Sequence, residues 1–268
     1  MALKESKIVV WSGAAANQKA LVNKIAKEFK IAGIVIDSGK KIKKKKNWLE
    51  LPAKILDRIR FGKIYSAWTN LMKQYDKEFP NWPDVPVLKV EGINSPEAKS
   101  FTENIQPDLI IVSGTALVKE PLISTHASIG IINLHTGLSP YVKGGPNCTN
   151  WCIANYTFEL VGNTIMWLNA GIDTGNIITT EQVDIRNCDS LTEAHKLVME
   201  HAHELYLRAI QYLHSGNKPF NSIPQNSISS GSLYLTRMWT SMKKAELLRN
   251  WKARKIIDLG EKPVTVSL

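Results

Sequence analysis

Apolar and polar positions fall in blocks along this chain, and the blocks predict elements. Lys7–Ser12 (KIVVWS), Ile31–Ile36 and Asp108–Ser113 (DLIIVS) are short and almost wholly apolar, the pattern of strands covered on both faces. Ile129–Leu134 is another such strand and leads into His135. Helical spacing fills the intervals at about Gln18–Phe29, Trp48–Tyr75 and Ser95–Ile105. Ser95-Pro96-Glu97 is a good helix start, whereas Pro80, Pro83 and Pro86 break the preceding segment before a short strand at Val87–Val90. Pro121–Ala127 reads as a short helical piece, and Val142-Lys143-Gly144-Gly145-Pro146 as a flexible loop. Thr149–Asn155 is the next helix. Leu160–Asn169 and Asn176–Val183 are two strands joined by a turn at Asp173, and Leu191–Ser215 is a long helix.

Strand and helix alternating in this way call for a parallel sheet with right-handed crossovers. The expected class is α/β, a Rossmann-like, mostly parallel sheet flanked by helices. From Lys218 the character changes. Pro219, Pro224 and the polar Gln225-Asn226-Ser227 lead to Gly231–Leu235 and a basic helical segment, Met242–Lys255. The expected division is a main domain at 1–217 and a small strand-and-helix appendage at 218–268. In such sheets ligands bind beyond the carboxyl ends of the strands. Ser12-Gly13, Ser113-Gly114 and His135-Thr136-Gly137 all fall there, which predicts three strand ends converging on one crevice.

Polar residues interrupt this pattern at one informative place. Asn133 and His135 share a strand face and Leu134 points oppositely. Two polar groups at the end of a strand that should be apolar on both faces mark a site. Asp173 lies between Gly171 and Gly175, on backbone able to turn sharply. An amide, an imidazole and a carboxylate suit a reaction that builds negative charge on a carbonyl oxygen while moving a proton.

The 268 residues carry a net charge of +10, with Lys40, Lys41, Lys43, Lys44, Lys45 and Lys46 supplying much of the excess. A run like that usually reads as a solvated loop, and a nucleic-acid or phosphate patch is the other reading. No apolar run approaches the length of a membrane span, and the polar start is unlike a signal peptide, so a cytoplasmic protein is expected. Cys148, Cys152 and Cys188 are too few and unevenly spaced for a disulfide framework or a zinc site. His201-Ala202-His203-Glu204 lacks the metalloprotease spacing, and no metal is expected. His126 reads as a surface helix residue. Trp48, Trp68, Trp151 and Trp167 read as core or interface, while Trp11 and Trp82 are the two candidates to flank a bound base.

Three motifs together carry a resemblance. Asn133-Leu134-His135, the loop Ser139–Gly144 and Asn169-Ala170-Gly171-Ile172-Asp173-Thr174-Gly175 resemble the folate-dependent formyltransferases. That family includes the glycinamide ribonucleotide, methionyl-tRNA and sugar-nucleotide enzymes. The resemblance implies N10-formyltetrahydrofolate as formyl donor, a primary amine as acceptor, and Asn133, His135 and Asp173 as the catalytic residues. It implies a pterin site along Thr115, Ala116, Leu117 and Val118 and along Asn169, Gly171 and Ile172. It also implies acceptor contacts at Ser12, Gly13, Lys143 and Gly144, and no metal. Thr136, Ser139, Lys143 and Asn169 depart from the family pattern, and these changes bear on the acceptor more than the donor. About 50 residues follow Pro219, too few for the C-terminal barrel of the tRNA enzymes. The insertion from Lys40 to Pro86 is foreign to the shorter ribonucleotide enzymes. The expected acceptor is therefore a nucleotide-linked amino sugar, with a homodimer as the assembly and nucleic acid ranked behind. A formyltetrahydrofolate hydrolase and a non-catalytic folate-binding module remain as alternatives.

Overall fold

The computed structural model describes residues 6–39, 51–145, 147–216, 218–257 and 259–268; the Lys40–Lys46 run and Trp48 lie outside them. The first half alternates as expected: β1 (Ile8–Gly13), α1 (Ala16–Glu28), β2 (Ile31–Asp37), α2 (Leu51–Arg60), α3 (Gly62–Glu78), β3 (Val87–Val90), α4 (Pro96–Ile105), β4 (Leu109–Ser113) and β5 (Gly130–His135). The second half comprises β6 (Val142–Gly144), α5 (Cys148–Asn155), β7 (Gly162–Trp167), β8 (Ile177–Gln182), α6 (Leu191–Ser215), β9 (Ser232–Tyr234) and α7 (Ser241–Ala253). Among the described residues one seven-stranded sheet runs β3-β2-β1-β4-β5-β7-β8, with a two-stranded β6-β9 ladder beside it. The pairs from β3 through β5 are parallel, and β7 and β8 add antiparallel at one end.

β1 and β4 are buried along their whole length, which is why their sequences are unbroken apolar runs. Alternate residues feed opposite faces. Ile8, Val10, Ile34 and Ile111 pack with residues of α1, α3 and α6, whereas Val9, Trp11, Val35 and Val112 pack on the α4 side. On β5, Leu134 joins the first cluster, and Asn133 and His135 continue the face of Ile131, which joins the second. One contact binds the sheet from outside the ladder. Tyr206 of α6, fully buried, accepts a hydrogen bond at its hydroxyl from the Val112 N–H at 3.0 Å. The same hydroxyl lies 3.1 Å from the Val112 carbonyl and 3.0 Å from the Ile132 carbonyl. A single side-chain oxygen thus stitches β4 to β5 just below the polar positions.

Several expectations are corrected. The helical stretch from Trp48 is interrupted at Phe61, which is 2% exposed and turns into the core between α2 and α3. The apolar spacing of α2 marks no buried face, for Ile55 and Ile59 are 51% and 74% exposed. Pro121–Ala127 forms successive hydrogen-bonded turns, on the Lys119 and Leu122 carbonyls, rather than a helix, and His126 is exposed just after them. Val142–Gly144 is a strand rather than a flexible loop, because β9 pairs with it in parallel. Trp11 cannot flank an acceptor: it is 0% exposed and its Nε1 donates to Thr102 Oγ1 at 3.0 Å. Trp82 is half-buried against the first cluster.

Residues after Lys218 pack into the main body. Leu247 and Ile257 join an apolar cluster with Cys152, Ile153 and Val183, and the Thr180 N–H donates to the Val266 carbonyl at 2.8 Å beside β8. Among the described residues no helix is long and apolar enough to cross a membrane.

Candidate active site

A cavity of about 600 Å³ opens beyond the carboxyl ends of β4 and β5. Its floor carries Asn133 and His135, and the turn between β7 and β8 brings Asp173 to its wall. The three residues, drawn from two separate segments, therefore meet at one place. Asp173 has φ +51°, left-handed backbone that a flanking side chain rarely adopts, and it turns the carboxylate toward His135. Gly175 is required beside it, since a Cβ there would lie 1.7 Å from the Trp167 carbonyl oxygen.

His135 is 7% exposed and surrounded by acceptors. Nδ1 lies 3.3 Å from Asp173 Oδ2, and Nε2 lies 2.9 Å from the Val142 carbonyl oxygen and 3.6 Å from Cys148 Sγ. Burial alone would push this histidine's pKa down. The facing Cys148 sulfur, the Asp173 carboxylate and the Val142 carbonyl override burial and hold it up to about 10. Nε2 faces a carbonyl oxygen and Nδ1 a carboxylate, surroundings that favour the charged ring over the neutral one. Nε2 is committed inward, and a Cβ on Gly137 would sit 2.4 Å from it. Asp173 Oδ2 also accepts from the Gly144 N–H at 3.0 Å. Among the described residues Asp173 Oδ1 and the Asn133 side chain have no protein partner, leaving both for a ligand.

The predicted pterin-site residues all line this cavity: Thr115, Ala116, Leu117 and Val118 on one side, Asn169, Gly171 and Ile172 on the other. The first loop is fixed from outside. Asp37 Oδ2 accepts from the Ala116 N–H at 3.0 Å, and Asn94 bonds the Leu117 carbonyl and the Lys119 N–H. Leu117 and Ile172 are 44% and 40% exposed. Gly144 reaches the cavity with φ +88°, where a Cβ would strike the Tyr234 carbonyl.

The other predicted acceptor residues stand apart. Ser12 is fully buried and its hydroxyl donates to the Gly13 carbonyl. A Cβ on Gly13 would lie 2.2 Å from the Gly114 carbonyl oxygen, and Gln18 of α1 packs over Gly114. Among the described residues the cavity is lined from the β4 and β5 ends, and Ser12 and Gly13 do not border it. Lys143 extends its Nζ to the Ser230 carbonyl, 3.2 Å away, on the outside of β6.

Sequence reasoning missed the C-terminal contribution. Tyr234, Leu235 and Thr236 form part of the cavity wall. Gln225, 7% exposed, donates from Nε2 to the carbonyls of Asp173 and Gly175, each at 2.8 Å. No periodicity announces such a residue. Removing this clamp in Gln225→Ala should lower kcat by about ten- to a hundredfold, since small displacements of a reacting group are costly. Steady-state kinetics beside a melting curve would check this.

Residues 6–210 match the formyl transferase family, which is more than half of the chain. The chain belongs to that family. Among curated formyltransferases, the methionyl-tRNA formyltransferase of Syntrophus aciditrophicus (strain SB) is 30% identical over 146 residues, 54% of this chain and 46% of that protein. The matched stretch thus spans about half the length of the curated relatives. Solved formyltransferases share the fold. A sugar N-formyltransferase from Shewanella sp. FDAARGOS_354 superposes with TM-score 0.57 at 15% identity, covering 92% of this chain and 88% of the other. WlaRD, a sugar 3N-formyltransferase solved with dTDP and 5-N-formyl-THF, superposes with TM-score 0.56 at 15% identity, covering 92% and 80%. Among the described residues, no group of three or more His, Cys, Asp or Glu side chains is arranged to hold a metal.

Proposed function

We propose that this formyltransferase moves a formyl group from N10-formyltetrahydrofolate to a primary amine of a nucleotide-linked amino sugar. The observation that carries the reaction is the pairing of His135 with Asp173, 3.3 Å apart, on the wall that Asn133 also lines. The donor fits the cavity. The volume of about 600 Å³ is that of a small-molecule site. Exposed Leu117 and Ile172 offer apolar faces to a flat heterocycle, and the peptide groups of 115–118 and 169–172 offer donors and acceptors to its edges.

When bound, the folate supplies a formyl carbon already activated toward attack by an amine. Asn133 donates its amide N–H to the formyl oxygen as negative charge gathers there, and the imidazolium of His135 adds a positive field beside it. Asp173, anchored through Oδ2, keeps Oδ1 toward the cavity to take the proton that the attacking amine must lose, directly or through a water. His135 Nδ1–H is then placed to return a proton to the leaving nitrogen. No residue forms a covalent bond to substrate.

The sugar reading is supported by the C-terminal segment, whose Tyr234–Thr236 stretch lines the same cavity as His135 and Asp173. It agrees with the named activities of the two sugar enzymes above. A homodimer in the cytoplasm is the assembly expected with it, which sedimentation would check. The functional test incubates the protein with N10-formyltetrahydrofolate and a panel of nucleotide amino sugars, following tetrahydrofolate release and formamide formation by mass spectrometry. Turnover with a sugar nucleotide is expected. Turnover only with glycinamide ribonucleotide or methionyl-tRNA would overturn the acceptor, and formate release without any amine would make the protein a hydrolase.

A further inference from the structure

The formyl-transfer reading gives no role to Cys148, yet its sulfur closes a circuit of contacts through the site. Cys148 is the first residue of α5, held by the Asn147 cap, and is 3% exposed. Sγ lies 3.6 Å from His135 Nε2 and donates toward the Gly144 carbonyl at 3.5 Å. The N–H of the same Gly144 donates to Asp173 Oδ2 at 3.0 Å, and that oxygen faces His135 Nδ1 at 3.3 Å. Four groups from four elements thus form a ring of contacts: β5, the β7–β8 turn, β6 and α5. The other two thiols have no such link. Cys152 is fully enclosed, with burial pushing its thiol up to about 12, and Cys188 lies beneath Arg254 at the far end of α7.

We propose that Cys148 is a positioning residue, its sulfur locking the His135 ring and the Gly144 peptide into one unit so that His135 stays a donor on both nitrogens. This rests on the formyl-transfer reading for its consequence, though not for its geometry. Sulfur suits the place because its contacts are long. At 3.5–3.6 Å the partners lie beyond the reach of a hydroxyl, whose hydrogen bonds run about 2.5–3.0 Å. The groups facing His135 are Asp173 from the turn, Cys148 from α5 and the Val142 carbonyl from β6. Lys143, the nearest cation on β6, reaches away toward Ser230.

The test is a histidine titration by NMR on protein labelled at the imidazole carbons, with His135 assigned by its loss in His135→Asn. In the wild-type protein His135 should hold its proton well into the alkaline range. In Cys148→Ala the midpoint should fall by about one unit or more, with Cys148→Ser in between. The alkaline limb of kcat/KM should move with it, kcat should drop about tenfold, and KM for the folate should hold. Melting curves on both variants guard against loss of fold. An unchanged His135 midpoint in both variants overturns the proposal even if formyl transfer is intact. A shifted midpoint in a protein that transfers formyl to no amine upholds the proposal and removes the function assigned above.

Discussion

Asp173→Asn is expected to lower kcat/KM by about a thousandfold while leaving the fold in place, because it removes both the proton acceptor and an anion holding His135 charged. The asparagine keeps the shape of the turn, so the Gln225 clamp on its backbone survives. The measurement is single-turnover formyl transfer across pH, beside far-UV circular dichroism. A pH signature accompanies the loss. His135 is held up to about 10, above the usual histidine value near 6.5. A raised histidine contributes stability that is full below its unfolded pKa and lost as pH rises through its folded one. The wild-type protein should therefore lose a part of its stability between about pH 6.5 and 10, and that slope should flatten in Asp173→Asn. An unchanged slope would mean that Asp173 does not hold the charge.

The second large effect is on stability. Tyr206→Phe deletes one oxygen, and with it the partner of the Val112 N–H and the contact to the Val112 and Ile132 carbonyls. The ring fills the same space, so no cavity arises. Hydrogen bonds to backbone groups in a dry interior are lost, at a cost of about 1–3 kcal/mol. Urea unfolding should show a lower midpoint at unchanged slope, with the melting temperature falling by roughly 5 °C. A midpoint within error of wild type would show that the ladder closes without the hydroxyl. Because the bond lies below Asn133, the same variant should also loosen the floor of the cavity.

What the sequence revealed depended on how local the cause was. β1, β2 and β4 are legible because burial on both faces writes an uninterrupted apolar run. α6 is legible at both ends because Ser190 caps its start, accepting from the Glu193 N–H, and Gly216 follows its end. Asn133 and His135 stood out as polar groups on a strand that should be apolar on both faces, and Asp173 as a carboxylate between two glycines. β6 was hidden because a three-residue strand exists only by virtue of β9, some 90 positions onward in the chain. Ser12 and Gly13 misled because a glycine at a strand end reads the same whether it admits a ligand or a neighbouring backbone. Here it admits Gly114. α2 misled in the opposite sense, showing helical spacing of Leu and Ile with no face turned inward. Nothing local marked Gln225 or Cys148, whose roles arise from partners far away in the chain.

The two-stranded β6-β9 ladder carries a consequence for how the molecule comes apart. It joins three residues to three, and Gly144 and Tyr234, which meet across it, both border the cavity. Such a seam opens at a smaller free-energy cost than a seven-stranded sheet. As urea rises, the substrate chamber should lose its side before the framework melts, so that inactivation runs ahead of the loss of ellipticity.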